Sequence, residues 1–247
     1  MPALVVSRSS ASVCYLYAEY TFEHAMGRGA KAMTVHVSGT GFVASDGWIA
    51  TNRHVAEPWW GEPHMKALRS QGHAMKLDRL LAFFPGRAQP VELSHVVTSP
   101  DADLAIARFD AAATSFPALP LARQTPEPGD AVIVLGYPMG VEGMLAKSPR
   151  GVARNLALQD DDVRTARRLA ALALIRPSAT QGHLGDVVAD KLLYDASTAQ
   201  GASGSPVFNA RGEVIGVNTA FLDGFSGGGI GVSVQKLASL LQRTRRQ

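Results

Sequence analysis

The sequence predicts an all-β protein built in two halves, and three observations indicate this. Short strand-like runs recur along the chain between turn signals such as Pro85-Gly86 and Ser99-Pro100, a spacing typical of a barrel or sandwich. Four prolines between 111 and 130 indicate an extended connector, which we place at 113–128. Only two stretches, both in the second half, have the periodicity of a helix.

The first half, residues 1–112, is predicted to consist of strands. Residues 12–22 are rich in valine, tyrosine and phenylalanine, and the glycines within 24–33 indicate a loop. Val35 and Val37 alternate with polar neighbours and start a hairpin that turns at Asp46-Gly47 and presents His54 at its end. Further strands are predicted at 79–84, 91–97 and 103–109.

The second half, residues 129–247, is predicted to be a strand domain interrupted by helix. Acids at 160–162 and apolar residues at helical spacing predict one helix within about 150–176, inside an insertion that spans 143–176. An amphipathic helix is predicted at 235–244. Strands are predicted at 131–136, 187–194, 205–209, 214–219 and 229–234.

Composition excludes several classes of protein. Cys14 is the only cysteine among 247 residues, so neither an internal disulfide nor a cysteine zinc site can form. No apolar run approaches the roughly 20 residues of a membrane span, and no charged leader precedes the short apolar start, so the chain as written is expected to be cytoplasmic. With a net charge of +3 and no aromatic residues among the basic ones, nucleic-acid binding is not expected. The oligomeric state is left open.

A serine in a glycine turn is the candidate nucleophile. Ser203 lies in Gly201-Ala202-Ser203-Gly204-Ser205-Pro206. No histidine follows it, as an α/β-hydrolase would require, and a subtilisin-type order would need Asp46, which turn chemistry explains better. The remaining order is His54, Asp103, Ser203, that of chymotrypsin-like double barrels.

At these residues the sequence resembles the Deg/Htr trypsin-like serine proteases over roughly 33–142 and 178–243. The resemblance implies two six-stranded antiparallel β-barrels of the chymotrypsin type. Part of it, around Thr198 and Asn209, is also similar to the glutamyl endopeptidases. The motifs that carry it are Gly39-Thr40-Gly41-Phe42, Thr51-Asn52-Arg53-His54-Val55, Asp103-Leu104-Ala105, Leu119-Pro120-Leu121, Gly136-Tyr137-Pro138-Met139-Gly140, Asp195 through Pro206, Val214 through Ala220 and Gly229-Ile230-Gly231-Val232.

The resemblance and the chemistry of each group assign the catalytic roles. Ser203 is expected to attack a peptide carbonyl, with His54 as the base and Asp103 as the residue that orients it. Asp103 is preferred to Asp101 because it immediately precedes Leu-Ala, as the acid does in the family. The backbone N–H groups of Gly201 and Ser203 are expected to form the oxyanion hole. The expected partner is a protein or peptide substrate, and no cofactor or metal is expected.

Three features depart from the family pattern. Ala202 stands where trypsin carries an aspartate that pairs with a newly cut amine, which excludes that form of zymogen activation. The chain ends after one helix where a PDZ domain is usual. The insertion at 143–176, with Arg164, Arg167 and Arg168 on its helix, is hypothesised to cap or gate the active-site groove; a surface helix packed on the second barrel is the alternative.

Specificity is expected to come from a pocket before the nucleophile and along the next long strand. A small or aliphatic residue before the scissile bond is predicted, since no charge there would balance lysine or arginine; glutamate is the alternative. A second alternative for the whole chain is a trypsin-like barrel that is latent or binds without cutting. The pocket residues are Ser197, Thr198, Val217, Asn218 and Thr219.

Overall fold

The structure is a computed structural model that describes residues 2–23, 33–60, 63–70, 72–112, 116–157, 161–221 and 228–246. Its first half begins with a helix, α1 (Pro2–Ser9), and a 3₁₀ turn (Ser10–Ser12), and has two more helices, α2 (Arg53–Ala56) and α3 (Pro63–Ser70). Its strands are β1 (Val13–Glu23), β2 (Met33–Ser45), β3 (Trp48–Thr51), β4 (Ala74–Phe83), β5 (Val91–Glu92), β6 (Ser94–Thr98) and β7 (Ala105–Arg108).

These strands form one antiparallel sheet in the order β5-β4-β1-β2-β3-β7-β6. The two edge strands, β5 and β6, are separated along the chain by Leu93 alone, whose N–H donates to the Leu80 carbonyl at 2.8 Å. The sheet must therefore wrap until its edges meet at Leu93. This is a barrel whose sixth strand is divided into two.

The second half is a closed barrel in the order β10-β13-β12-β11-β8-β9. Along the chain, three helices of the described residues lie between β8 and β9, and one follows β13. The elements are β8 (Ala131–Gly136), α4 (Gly140–Ala146), α5 (Arg150–Leu156), α6 (Asp162–Ala171), β9 (Ser178–Val188), β10 (Lys191–Tyr194), β11 (Pro206–Phe208), β12 (Val214–Phe221), β13 (Gly229–Ser233) and α7 (Val234–Arg245).

Strand β1 explains how the two halves pack. Successive side chains of a strand point to opposite faces of its sheet, and both faces of β1 are buried. Leu16 and Tyr20 belong to the core inside the first barrel. Val13 and Tyr15 belong to a second core, which continues into the second barrel and the insertion. The alternate apolar residues of β1 thus join the halves.

The fold class predicted from the sequence is confirmed, and several elements are corrected. The predicted strand 91–97 is split at Leu93, which gives the first sheet seven strands rather than six. The predicted strand 187–194 covers the end of β9, a turn in which Ala189 has φ +54°, and β10. Helices α1 and α3 were not predicted. The predicted loop at 24–33 lies outside the described residues, except for Met33, which begins β2.

The described residues of the insertion, with the three residues before it, contain three short helices, α4 to α6, where a single helix was predicted. Asp161 caps α6 by accepting the N–H of Arg164 at 2.9 Å. The helix ends at Ala171 because Ala173 has φ +55°, which a helix cannot continue through. Ala166 and Leu169 are fully buried in the core that joins the two halves. The gating role stays a prediction. Among the described residues, no helix is both long and apolar enough to cross a membrane.

Candidate active site

The histidine and the aspartate predicted from the sequence lie in contact. His54 sits on α2, directly after β3, and Asp103 lies in the loop before β7, which pairs with β3. The His54 N–H donates to Asp103 Oδ1 at 3.0 Å, and His54 Nδ1 is 2.8 Å from Oδ2. A carboxylate only accepts, so Nδ1 carries the proton and the neutral ring keeps Nε2 free to act as a base.

Asp103 has two further partners that the sequence analysis did not identify. The Thr219 hydroxyl donates to its Oδ2, and the Asn52 side-chain amide donates to its backbone carbonyl at 2.8 Å. Burial raises the pKa of Asp103, but the hydrogen bonds from His54 and Thr219 outweigh it and hold the pKa below its usual value. Asp103 is therefore ionised at neutral pH. Thr219, predicted to line the specificity pocket, donates its hydroxyl to the carboxylate of Asp103.

Two glycines shape the turn that carries Ser203. Gly201 and Gly204 both have φ +87°, a conformation that disfavours side chains. A Cβ at Gly201 would lie 2.7 Å from the Tyr137 carbonyl oxygen, and one at Gly204 would overlap the Thr40 carbonyl. The glycine-flanked serine motif therefore has a steric origin.

Thr40 of β2 ties this turn to the first barrel. Its N–H donates to the Ser203 carbonyl at 2.7 Å, and its hydroxyl donates to the Gly201 carbonyl at 2.9 Å. The Thr51 hydroxyl donates in turn to the Thr40 carbonyl at 2.8 Å. In the sequence, Thr40 is notable only as part of a motif. It is fully buried between Gly39 and Gly41, and its partners in the turn are distant along the chain.

The N–H of Gly201 is oriented by the peptide that precedes it. The Gln200 carbonyl accepts the N–H of Met139 at 2.6 Å. Because the C=O and N–H of a trans peptide point in opposite directions, the Gly201 N–H points away from Met139. It has no hydrogen-bond acceptor among the described residues.

The N–H of Ser203 is oriented in the same way. The Ala202 carbonyl accepts the Ser205 N–H at 3.0 Å and the Asn218 amide at 2.9 Å, so the Ser203 N–H points away from both groups. This N–H also lacks an acceptor within the described part of the chain. The turn thus holds two unused donors next to the candidate nucleophile, as an oxyanion hole requires.

The Ser203 side chain is less constrained. Its Oγ lies 3.5 Å from the Thr219 carbonyl, at the outer limit for a hydrogen bond. Within the described residues, no hydrogen bond joins it to His54. Catalytic hydrogen bonds are often long without substrate and shorten in the complex.

The other residues predicted for the specificity pocket differ in burial and in their hydrogen bonds. Asn218 is buried, and its amide is used twice, accepting from the Tyr194 hydroxyl at 2.5 Å and donating to the Ala202 carbonyl. Val217 is fully buried in the barrel. Ser197 is exposed and Thr198 is partly buried, near the entrance of the turn. Ala202 is itself buried, so the turn offers no side chain that could pair with an amine.

Comparison with known proteins gives matches that agree with this geometry. Residues 39–217 match the family described as trypsin-like peptidase domain. A probable periplasmic serine endoprotease, DegP-like, of Chlamydia trachomatis is 28% identical over 197 residues, covering 79% of this chain and 30% of that protein. A putative serine protease, HhoA, of Synechocystis is 27% identical over 143 residues, covering 58% of this chain and 30% of that protein. The chain thus spans about 30% of the length of these curated relatives.

Solved structures share the fold. The serine endoprotease from Yersinia pestis has a TM-score of 0.65 and 20% identity, covering 100% of this chain and 67% of that one. A protease from M. tuberculosis in its active form has a TM-score of 0.64 and 20% identity, covering 98% of this chain and 86% of that one. The resemblance to Deg/Htr proteases predicted from the sequence is confirmed, and the chain belongs to the trypsin-like peptidase domain family.

Proposed function

We propose that this chain is a serine endopeptidase that cleaves peptide bonds through an acyl-enzyme. The observation that carries the proposal is the pairing of His54 with a partly buried, ionised Asp103 in one barrel, beside a turn of the other barrel that holds Ser203 and two unused N–H donors. Relatives named serine endoproteases support it.

The residues have the following roles in the proposed reaction. Ser203 Oγ attacks the scissile carbonyl while His54 Nε2 takes its proton, and the oxyanion forms against the N–H groups of Gly201 and Ser203. The carbon–nitrogen bond breaks, and the imidazolium gives its proton to the leaving amine. Water then attacks the Ser203 ester with His54 again as base, which releases the acid and restores the serine. Asp103 holds the tautomer and stabilises the imidazolium.

A small or aliphatic residue before the scissile bond remains the proposed preference. Ser197 and Thr198 carry no charge, and the Asn218 amide, which stands where glutamyl endopeptidases use a histidine, is already engaged by Tyr194 and Ala202. Turnover of peptide nitroanilides ending in valine, alanine or glutamate would test this. Faster turnover of the glutamyl substrate would contradict it.

A fluorophosphonate probe would test the proposed function. The probe loses fluoride as Ser203 Oγ bonds to phosphorus, so we expect wild type to be labelled and Ser203→Ala to be unlabelled, with Ser205→Ala as the matched serine control. One observation favours a latent or non-catalytic barrel, the missing hydrogen bond between Ser203 and His54 among the described residues. Folded wild type that neither reacts with the probe nor cuts a denatured protein would support that alternative.

A further inference from the structure

A groove of about 400 Å³ opens beside the turn that carries Gly201 and Ser203. The second half contributes Gly201, Met139 and Glu142, and β2 of the first half contributes His36 and Ser38. Asp162, at the start of α6, completes one wall. The groove therefore joins one donor of the proposed oxyanion hole to the helical insertion, and we call it the leaving-side groove.

Its position relative to Ser203 shows which part of a substrate it can receive. The Thr219 carbonyl of β12 lies 3.5 Å from Ser203 Oγ, and three of the residues proposed for the pocket before the scissile bond lie on this strand, at 217–219. The groove lies beside Gly201 and against β2, the strand whose Thr40 hydroxyl donates to the Gly201 carbonyl. A peptide bond held at Ser203 with its acyl part along β12 would therefore direct its leaving segment into the groove.

The charged groups of the groove are unbalanced. Glu142 is exposed and has no ion pair with any described residue. Asp162 Oδ2 is 3.2 Å from His36 Nε2, with both side chains about half exposed. The neighbouring acids already have partners, Asp161 with Arg164 and Glu19 with Arg79. Two carboxylates thus face one imidazole, and Glu142 is the one for which the described residues provide no counter-charge.

Met139 provides the apolar part of the groove. It is 59% exposed, a high value for so apolar a side chain, and it has φ +60°, which is uncommon for a residue other than glycine. Met139 also orients the N–H of Gly201, because its own N–H donates to the Gln200 carbonyl of the same peptide. The flexible thioether of methionine adapts to many shapes, and the aliphatic stems of lysine and arginine pack on such surfaces while their charged ends stay hydrated.

We propose that the leaving-side groove selects lysine or arginine in the segment after the scissile bond, with the stem on Met139 and the cation beside Glu142. Asp162 adds to the attraction and is held in place by His36. The inference rests on the proposed endopeptidase function and adds a substrate class to it.

Two measurements on the full chain test the proposal. The first uses internally quenched peptides that are identical before the scissile bond and carry arginine, norleucine or glutamate at each of the first few positions after it. We expect kcat/KM at one position to be about fivefold higher for arginine than for norleucine, and lowest for glutamate. Glu142→Gln should remove most of that ratio, and 1 M salt should reduce it in wild type. Glu92→Gln, which removes an exposed acid on β5, should leave the ratio unchanged.

The second measurement needs no turnover. Calorimetry on Ser203→Ala, with short peptides that match the leaving segments, should show tighter binding of the arginine peptide, and adding Glu142→Gln should remove the difference. Equal binding and equal kcat/KM for arginine and norleucine peptides at every position would overturn the proposal, as would a preference that survives Glu142→Gln. A chain that is unreactive towards fluorophosphonate but still prefers the arginine peptide would refute the proposed catalysis and support the groove.

Discussion

The two barrels contribute to the candidate active site in different ways. The first barrel supplies an assembled pair, in which His54 is fixed through both its backbone and its ring by Asp103. The second barrel supplies a backbone, since the turn around Ser203 is shaped by glycines and by hydrogen bonds of its own carbonyls, while the serine hydroxyl has a single long contact. The difference teaches that the fold fixes the proposed base by hydrogen bonds to a side chain and the proposed nucleophile by backbone conformation.

The largest expected effect comes from removing the side chain that each barrel contributes, His54 from the first and Ser203 from the second. We expect Ser203→Ala and His54→Ala each to lower kcat by up to about a millionfold, and the double variant to lose no more than the single ones, because neither residue acts without the other. Initial rates on an internally quenched peptide, with enzyme at high concentration, provide the measurement. If the two losses multiplied, the serine and the histidine would work separately and the triad would be wrong.

Backbone control of the nucleophile can be tested at Gly204. A Cβ there would overlap the Thr40 carbonyl at a backbone conformation of φ +87°, so we expect Gly204→Ala to lower the free energy of unfolding by about 3 kcal/mol or more. Gly86→Ala is the matched control, because Gly86 also has positive φ but has nothing within 4 Å of an added Cβ. It should cost about 1 kcal/mol in urea unfolding. Equal costs would mean that strain alone, without the contact between the barrels, explains the glycine.

Chain order and flanking residues predicted His54, Asp103 and Ser203 as the candidate site, and the structure places the first two in contact. The groups that support this pair and the turn of Ser203 were not predicted. The roles of Thr40, Thr219 and Asn52 could not be predicted, because a hydroxyl or amide that binds a residue 51 or more positions away leaves no local pattern; Thr219 and Asp103 are 116 positions apart. The glycines at 201 and 204 were read as a tight turn, and only the structure connects them with Tyr137 and Thr40.

The same limit explains the differences in the fold. The split at Leu93 arises because two different strands, β4 and β7, pair with the two parts of one apolar run, which become the edge strands β5 and β6. The end of α4 at Lys147 is followed by Pro149, a signal that the sequence prediction did not use, whereas α5 and α6 end where Ala157 and Leu172 lie, without a glycine or proline directly after them. Tertiary packing, with Leu156 and Leu169 in the shared core, decides these boundaries.

Side-chain control of the base can be tested at Thr219. Thr219→Val removes the hydroxyl that donates to Asp103 and keeps the shape. Hydrogen bonds to a charged group contribute roughly 1.5–3 kcal/mol, so we expect the free energy of unfolding at pH 7 to fall by about 2 kcal/mol and kcat to fall about tenfold.

The stability difference between wild type and Thr219→Val is expected to depend on pH. The pKa of folded Asp103 is below the ordinary value of 3.8, so its stabilising effect is complete above that value and is lost as the pH falls through the folded pKa. Wild type and Thr219→Val should therefore differ at neutral pH and converge in acid, in urea titrations at a series of pH values. A difference that persists unchanged in acid would show that the hydroxyl stabilises the fold without acting on the carboxylate.

The smallest effect is expected at Asp101, the aspartate that was considered as an alternative to Asp103. Lys236 of α7 lies 2.8 Å from Asp101 and, with Ser99, lowers the pKa of Asp101 to about 2. Both charges are exposed, so Lys236→Met should shift the urea midpoint only slightly, and the shift should disappear in 1 M salt. We expect kcat/KM to stay within about twofold of wild type, because Asp103 is held by His54 and Thr219 and not by the surface pair. A loss as large as that of Thr219→Val would mean that the surface pair positions the catalytic loop, and that the base is fixed from outside the site as well as within it.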